Sequence, residues 1–316
     1  MRIFHFKDKN KKRPYALKDH TGAWKGDKLC HHKLSRRLLC LCFSVLLVFF
    51  SAVDIAAGTP PETQSEDKFE LLTPATGTTK IEARSAAIDY SHTDQGYVMC
   101  RYTGSRDRAA VQIAGPGGSE AYTYYLTGGK AFEAFPLTQG DGRYHIAMWE
   151  CLTGTTYGLV LSTDINMKLD NGHLPFLYAS SVVNFDADSA AVRKGAELMA
   201  NMQSAAEKAD AILDYITGHI EYDAEKAAAV RTGYVSNPDE TLRKGKGICL
   251  DYAVLAAAML RSQGIPTKVV YGFNPEGEYH AWISVFTDKW VLRDPSRSAG
   301  TKKEMPQSGY TAKFIN

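Results

Sequence analysis

Gly245-Lys246-Gly247-Ile248-Cys249-Leu250-Asp251-Tyr252-Ala253 is the stretch whose reading decides the fold. From Cys249 to Gln263 the residues are strong helix formers, with Ala253, Ala256, Ala257 and Leu260 on one face. Gly264 supplies a left-handed stop and Pro266 blocks continuation. Cys249 therefore stands in the first helical turn, where unpaired N–H groups and the positive end of the dipole favour thiolate over thiol. Gly245 and Gly247 let the backbone just before it approach a substrate and take strained angles. Without partners, a cysteine so placed reads as a buried, inert thiol.

Partners follow downstream. His280-Ala281-Trp282-Ile283-Ser284-Val285-Phe286 alternates as a strand, Thr287-Asp288-Lys289 is a turn, and Trp290-Val291-Leu292-Arg293-Asp294 returns. A three-residue loop sets Phe286 opposite Trp290, Trp282 opposite Asp294 and His280 opposite Ser296. His280 and Asp294 are then diagonal neighbours on one face, about 7–8 Å apart at Cα and within side-chain hydrogen-bond reach. A two-residue loop would turn Asp294 to the other face.

These motifs resemble the transglutaminase-like (papain-like cysteine peptidase) superfamily in its bacterial, exported form. The resemblance rests on Gly247, Cys249, Asp251, Tyr252 and Ala253; on Gly264-Ile265-Pro266; on His280-Ala281-Trp282; and on Asp294-Pro295-Ser296. It covers about residue 205 to 316. Ser296 departs from the usual Thr but keeps a hydroxyl. Arg293 stands where an apolar residue is usual; alternation sends it to the outer face, and pairing with Asp294 would make it compete with His280. The resemblance implies that Cys249, His280 and Asp294 are nucleophile, general base/acid and orienting carboxylate of an acyl-transfer site. It also draws a second oxyanion donor from the segment upstream of the cysteine, for which Tyr234 and Asn237 are the candidates. Trp282 is a candidate cleft wall, with core packing an equal reading.

The formal charge of +2 averages two unlike parts. Residues 1–37 hold 12 Lys/Arg against 3 Asp/Glu, whereas residues 58–316 hold 25 against 31. The larger part is mildly acidic, and nothing in it suggests nucleic-acid binding. An uncharged apolar run, 38–53, follows Arg36-Arg37, and small residues follow it, including Ala56, Ala57 and Gly58. That charge step predicts export, with the run serving as a cleaved signal peptide or as a retained membrane anchor. Outside the leader the cysteines are Cys100, Cys151 and Cys249. If Cys100 pairs with Cys151, Cys249 is the thiol left over.

Residues 1–57 thus read as leader with signal or anchor, and 58–77 as a polar linker around Pro60-Pro61. Residues 78–170 carry about seven short alternating segments divided by glycine-rich turns, as in a small β-sandwich. Around the segment 144–150, Tyr144, Ile146 and Met148 point one way and His145, Ala147 and the preceding Arg143 the other. Residues 171–204 are a connecting loop and a helix. Residues 205–316 form the catalytic domain, entered by a helix with the stripe Ala209, Ile212, Leu213, Ile216 and Ile220. Pro238 to Lys246 reads as a basic turn, and the last residues as one closing strand. The fold class is α+β, a papain-like transglutaminase core preceded by a β-sandwich-like domain and a signal or anchor segment.

The expected function is an exported, thiol-dependent acyl transfer on peptide or glutamine amides, through a thioester acyl-enzyme. Water as acceptor gives a peptidase or amidase, and a lysine amine gives a cross-link. The alternative is a surface binding or scaffold protein that keeps the fold without turnover. The partners expected are a peptide or protein substrate, the membrane through residues 38–53 if the leader is kept, and no nucleic acid, with the protein a monomer. No cofactor or metal is implied: the chain has no His-Glu-x-x-His, no Cys-x-x-Cys, no phosphate loop and no Gly-x-Ser-x-Gly.

Overall fold

The computed structural model describes residues 3–5, 70–297 and 308–316. The apolar run 38–53 and the linker from 58 to 69 lie outside the described residues. Among those described, no helix is long and apolar enough to cross a membrane.

Nine strands come first: β1 (Ile3–His5), β2 (Lys80–Glu82), β3 (Ala86–Asp89), β4 (Tyr97–Tyr102), β5 (Ala109–Ala114), β6 (Tyr122–Tyr125), β7 (Glu133–Pro136), β8 (Gly142–Thr153) and β9 (Thr156–Met167). They form two antiparallel sheets, ordered β1-β9-β8-β5-β6 and β2-β3-β4-β7. Residues Ile88, Val98, Cys100, Val111, Ile113, Phe135 and Met148 share a buried core between them. Tyr144, Ile146 and Met148 face that core, while Arg143 and His145 are exposed. Ala147, opposite in phase, is also buried, against Ala110, Trp149 and Tyr157 on the other face. The strand β1 comes from the basic stretch assigned to the leader and pairs antiparallel with β9. The strand β3 escapes a sequence reading because Ala-Ala-Ile-Asp is short and poor in β-branched residues, yet all four residues are buried.

Cys100 and Cys151 are both free thiols. Cys100 belongs to the core between the sheets, and Cys151 packs against the cluster on the opposite face of β8. They point into different layers, so the pairing that would single out Cys249 does not form.

Beyond the sandwich run α1 (Ala190–Met199), α2 (Ala205–His219), β10 (Glu221–Tyr222), α3 (Ala224–Ala229), α4 (Pro238–Lys244), β11 (Lys246–Gly247) and α5 (Cys249–Arg261). Then come β12 (Thr267–Phe273), β13 (Tyr279–Phe286), β14 (Trp290–Arg293) and β15 (Thr311–Ile315). The helix α2 begins with a reciprocal cap, Ser204 Oγ accepting from Glu207 N–H while the Glu207 carboxylate accepts from Ser204 N–H. Its stripe from Ala209 to Ile220 is buried as the periodicity predicts. The basic turn expected at 238–246 is instead the helix α4. Its signals are all local: Asn237 caps it, Pro238 starts it, Asp239 and Glu240 fill the first turn, and Arg243 and Lys244 fill the last. Asp239 also accepts the N–H groups of Ala190 and Ala191, capping α1 from outside.

The helix α5 is buried on every side from Leu250 to Arg261, rather than along one face. Helices α1, α2 and α4 flank it, and Ala281, Ile283 and Val285 of β13 pack against the same core. Gly195 of α1 comes so close to Met259 that an added Cβ would lie 3.1 Å from it. Gly264 ends the run with φ +77°, its N–H bonded to the Arg261 carbonyl.

The sheet is ordered β14-β13-β12-β15, all antiparallel. The closing strand joins it to the sandwich, because Phe314 of β15 touches Tyr271 of β12 and both Tyr122 and Tyr124 of β6. A Cβ on Gly272 would lie 1.9 Å from the Thr311 carbonyl oxygen, so β15 seats only against glycine there. Gly272→Ala is therefore expected to lower the melting temperature and destabilise the fold by about 3 kcal/mol, the upper range for overpacking. Thermal unfolding of the two proteins checks this.

Candidate active site

The pairing of Phe286 with Trp290, continued to Ile283 with Arg293, sets the turn at three residues, 287–289. In that register Asp294 leaves β14 fully buried, and its Oδ2 accepts a 2.8 Å hydrogen bond from His280 Nε2. The Cys249 side chain lies close enough to His280 to raise its pKa by hydrogen bonding and by charge. One carboxylate, one imidazole and one thiol are thus linked in series from two strands and a helix start. Burial alone would lower the His280 pKa. The bonds to Asp294 and Cys249 and their negative charges outweigh it and push the imidazole up to about 9.

Asp294 is held by more than His280. Ser296 Oγ donates to its Oδ1 at 2.9 Å, and Tyr310 Oη donates to its Oδ2 at 3.0 Å. Trp282 packs edge-on against the Tyr310 ring at 5.0 Å. That places Trp282 differently from a cleft wall: it is buried in a small cluster with Val270 and Leu292, behind the carboxylate. Arg293 does not compete for Asp294; its guanidinium lies 3.6 Å from Asp210 of α2.

The start of α5 is fixed by Asp251, a fully buried carboxylate with four donors. Its Oδ1 accepts from Tyr234 Oη and Ser236 Oγ, both at 2.7 Å. Its Oδ2 accepts from Lys226 Nζ at 2.6 Å and from the Ile248 N–H at 2.8 Å. A Cβ on Gly247 would fall 2.6 Å from that of Asp251, so this glycine serves the carboxylate rather than a substrate. Gly245, at φ +63°, is the left-handed cap of α4.

The two oxyanion candidates are occupied elsewhere. The Tyr234 hydroxyl donates to Asp251 and accepts from Lys226, and the Asn237 side chain accepts the Glu240 N–H as the cap of α4. The Cys249 N–H, at the first position of α5, is the donor that the backbone offers. Sequence reading missed the parts played by Tyr310, Ser236 and Lys226. Asp251 did leave a signal: a carboxylate in the first turn of an otherwise apolar helix is a capping acid. A cavity of about 360 Å³ opens along residues 226–234, bounded in part by Lys226 and Tyr234. Among the described residues, no group of His, Cys, Asp and Glu side chains is placed to hold a metal ion.

The sign of the His280 shift fixes a pH dependence. The folded pKa, about 9, exceeds the ordinary value of 6.5. The stabilisation from the charged ring is therefore complete below about 6.5 and lost as pH rises through about 9. NMR of the imidazole should show His280 titrating near 9 in the wild type. In Asp294→Asn the midpoint should fall, because the charge that holds the proton is gone; an unmoved midpoint would contradict this assignment.

Comparison with known proteins bears on the same segment. Residues 193–295 match the family model of the transglutaminase-like superfamily. An uncharacterized protein of Mycobacterium leprae is 34% identical over 104 residues, covering 29% of this chain and 33% of its own. The kyphoscoliosis peptidase of Mus musculus is 32% identical over 116 residues, covering 33% of this chain and 17% of its own. The chain thus spans a third or less of the length of these curated relatives. Among solved structures, a candidate cysteine protease from Cytophaga hutchinsonii superposes with a TM-score of 0.40 at 15% identity, covering 76% of this chain and 74% of its own. Residues 193–295 are thus similar to the transglutaminase-like superfamily, a match confined to that segment of the chain.

Proposed function

We propose that the protein is a thiol-dependent acyl-transfer enzyme acting on peptide or glutamine amides of protein substrates. The single observation that carries this reading is the series Asp294–His280–Cys249, with His280 Nε2 on the carboxylate and the thiol beside the same ring. In this reading Cys249 attacks the amide carbonyl, and the Cys249 N–H steadies the oxyanion. His280, charged as its raised pKa favours, returns a proton to the departing amine. Asp294 keeps the ring oriented and stabilises the imidazolium. The resulting thioester passes its acyl group to water, as in a peptidase or amidase, or to an amine, as in a cross-link.

We also propose that the catalytic part lies outside the cell and that the protein works as a monomer. Support for export comes from the basic stretch 1–37 followed by the uncharged run 38–53, cleaved or kept as an anchor in contact with the membrane.

The test uses fluorescein-labelled casein for hydrolysis and dansylcadaverine incorporation into casein for transfer. Cys249→Ala is expected to abolish both readouts. His280→Ala should lower kcat/KM by about a thousandfold or more, as removal of a triad member does. Activity that survives Cys249→Ala would overturn the reading.

A further inference from the structure

The acid that pins the start of α5 poses an electrostatic problem for the thiol two residues before it. Asp251 is fully buried and bonded through Oδ2 to the Ile248 N–H, so its carboxylate is anchored on the backbone of the residue just before Cys249. A carboxylate held there disfavours a neighbouring thiolate, and the effect is strong where water is excluded.

The structure also supplies the counter-charge. Lys226, from α3, sets Nζ 2.6 Å from the same Oδ2 and 2.6 Å from Tyr234 Oη. Burial works against its charge, but the bonds to Asp251 and Tyr234 prevail and raise its pKa above the ordinary lysine value. Lys226 therefore stays charged throughout the range in which a thiol titrates. Tyr234 and Ser236 contribute only neutral hydroxyls to the carboxylate. Among the described residues, the titratable and charged groups linked to this site include Asp251 on the same helix as Cys249, His280 from β13, Tyr271 from β12, Lys226 and Tyr234 from α3 and the loop after it, and, behind His280, Asp294 with Tyr310 and Arg297, the last paired with Glu276.

We propose that Lys226 is a positioning residue for the nucleophile: its ammonium neutralises the Asp251 carboxylate that fixes the first turn of α5, so that the thiolate of Cys249 forms beside a buried acid. The proposal rests on the acyl-transfer reading of Cys249 and His280. It separates two tasks that one carboxylate would otherwise set in conflict. Asp251 holds the Ile248 N–H at the start of the helix, and Lys226 removes the electrostatic consequence.

The measurement is the pH profile of iodoacetamide modification of Cys249, followed by mass spectrometry, in the full-length protein. Lys226→Met leaves the acid uncompensated and should move the profile to higher pH by about one unit, as expected for a unit charge several ångströms away. Lys226→Arg should restore it. Asp251→Asn leaves the ammonium unopposed and should move the profile the other way, and the double variant K226M/D251N should return close to wild type. Opposite shifts that cancel are beyond a merely structural lysine. Should the Asp251 variants fail to fold, the contrast between Lys226→Met and Lys226→Arg decides alone. Shifts in the same direction, or identical profiles for Lys226→Met and Lys226→Arg, would overturn the proposal. A wild-type profile that His280→Ala leaves unmoved would instead remove the thiol–imidazole pair itself, and the proposal with it.

Discussion

The three-residue turn at 287–289 is the constraint on which the site depends. Side chains on a strand alternate, so a turn shorter by one residue would carry Asp294 to the opposite face and leave His280 without its carboxylate. Among the described residues the carboxylate that reaches His280 is Asp294, from the end of β14. The site is therefore as much a product of strand register as of the identities of Cys249, His280 and Asp294.

Around that constraint the structure spends buried polar groups in two places, each fully supplied with donors. Asp294 accepts from His280, Ser296 and Tyr310, and Asp251 accepts from Lys226, Tyr234, Ser236 and the Ile248 backbone. Burying a carboxylate without such partners would cost several kcal/mol. With them, each becomes a rigid anchor, one for the imidazole and one for the start of α5. Both anchors draw on distant segments. Tyr310 precedes the strand β15, and β15 is packed through Phe314 against the sandwich residues Tyr122 and Tyr124. The sandwich thus braces, through one strand, the side of the sheet that carries Tyr310.

Much of this was legible in the chain. The helix that opens at Cys249, its glycine stop, the register of the hairpin and the buried stripe of α2 follow from local periodicity and turn chemistry. What was not legible depends on tertiary contacts. Nothing local marks Tyr310 as a partner of Asp294, because their encounter requires the closing strand to be in place. Tyr234 and Asn237 looked free for substrate work only because the buried carboxylate that claims one, and the helix that claims the other, were not recognised. The helix α4 was an error of a different kind, since Asn237-Pro238-Asp239-Glu240 is a complete start signal that the basic residues after it obscured. The full burial of α5 could not be read from periodicity, because a helix enclosed on all sides has no polar face to define one.

The central claim is that Cys249 carries the acyl group. Its most direct test is the intact mass of the protein quenched in acid milliseconds after mixing with a reactive peptide ester. The account predicts an adduct equal to the acyl part of the peptide, located on Cys249 by digestion and released by hydroxylamine. Ester turnover with no adduct on Cys249, or an adduct that persists in Cys249→Ala, would contradict it.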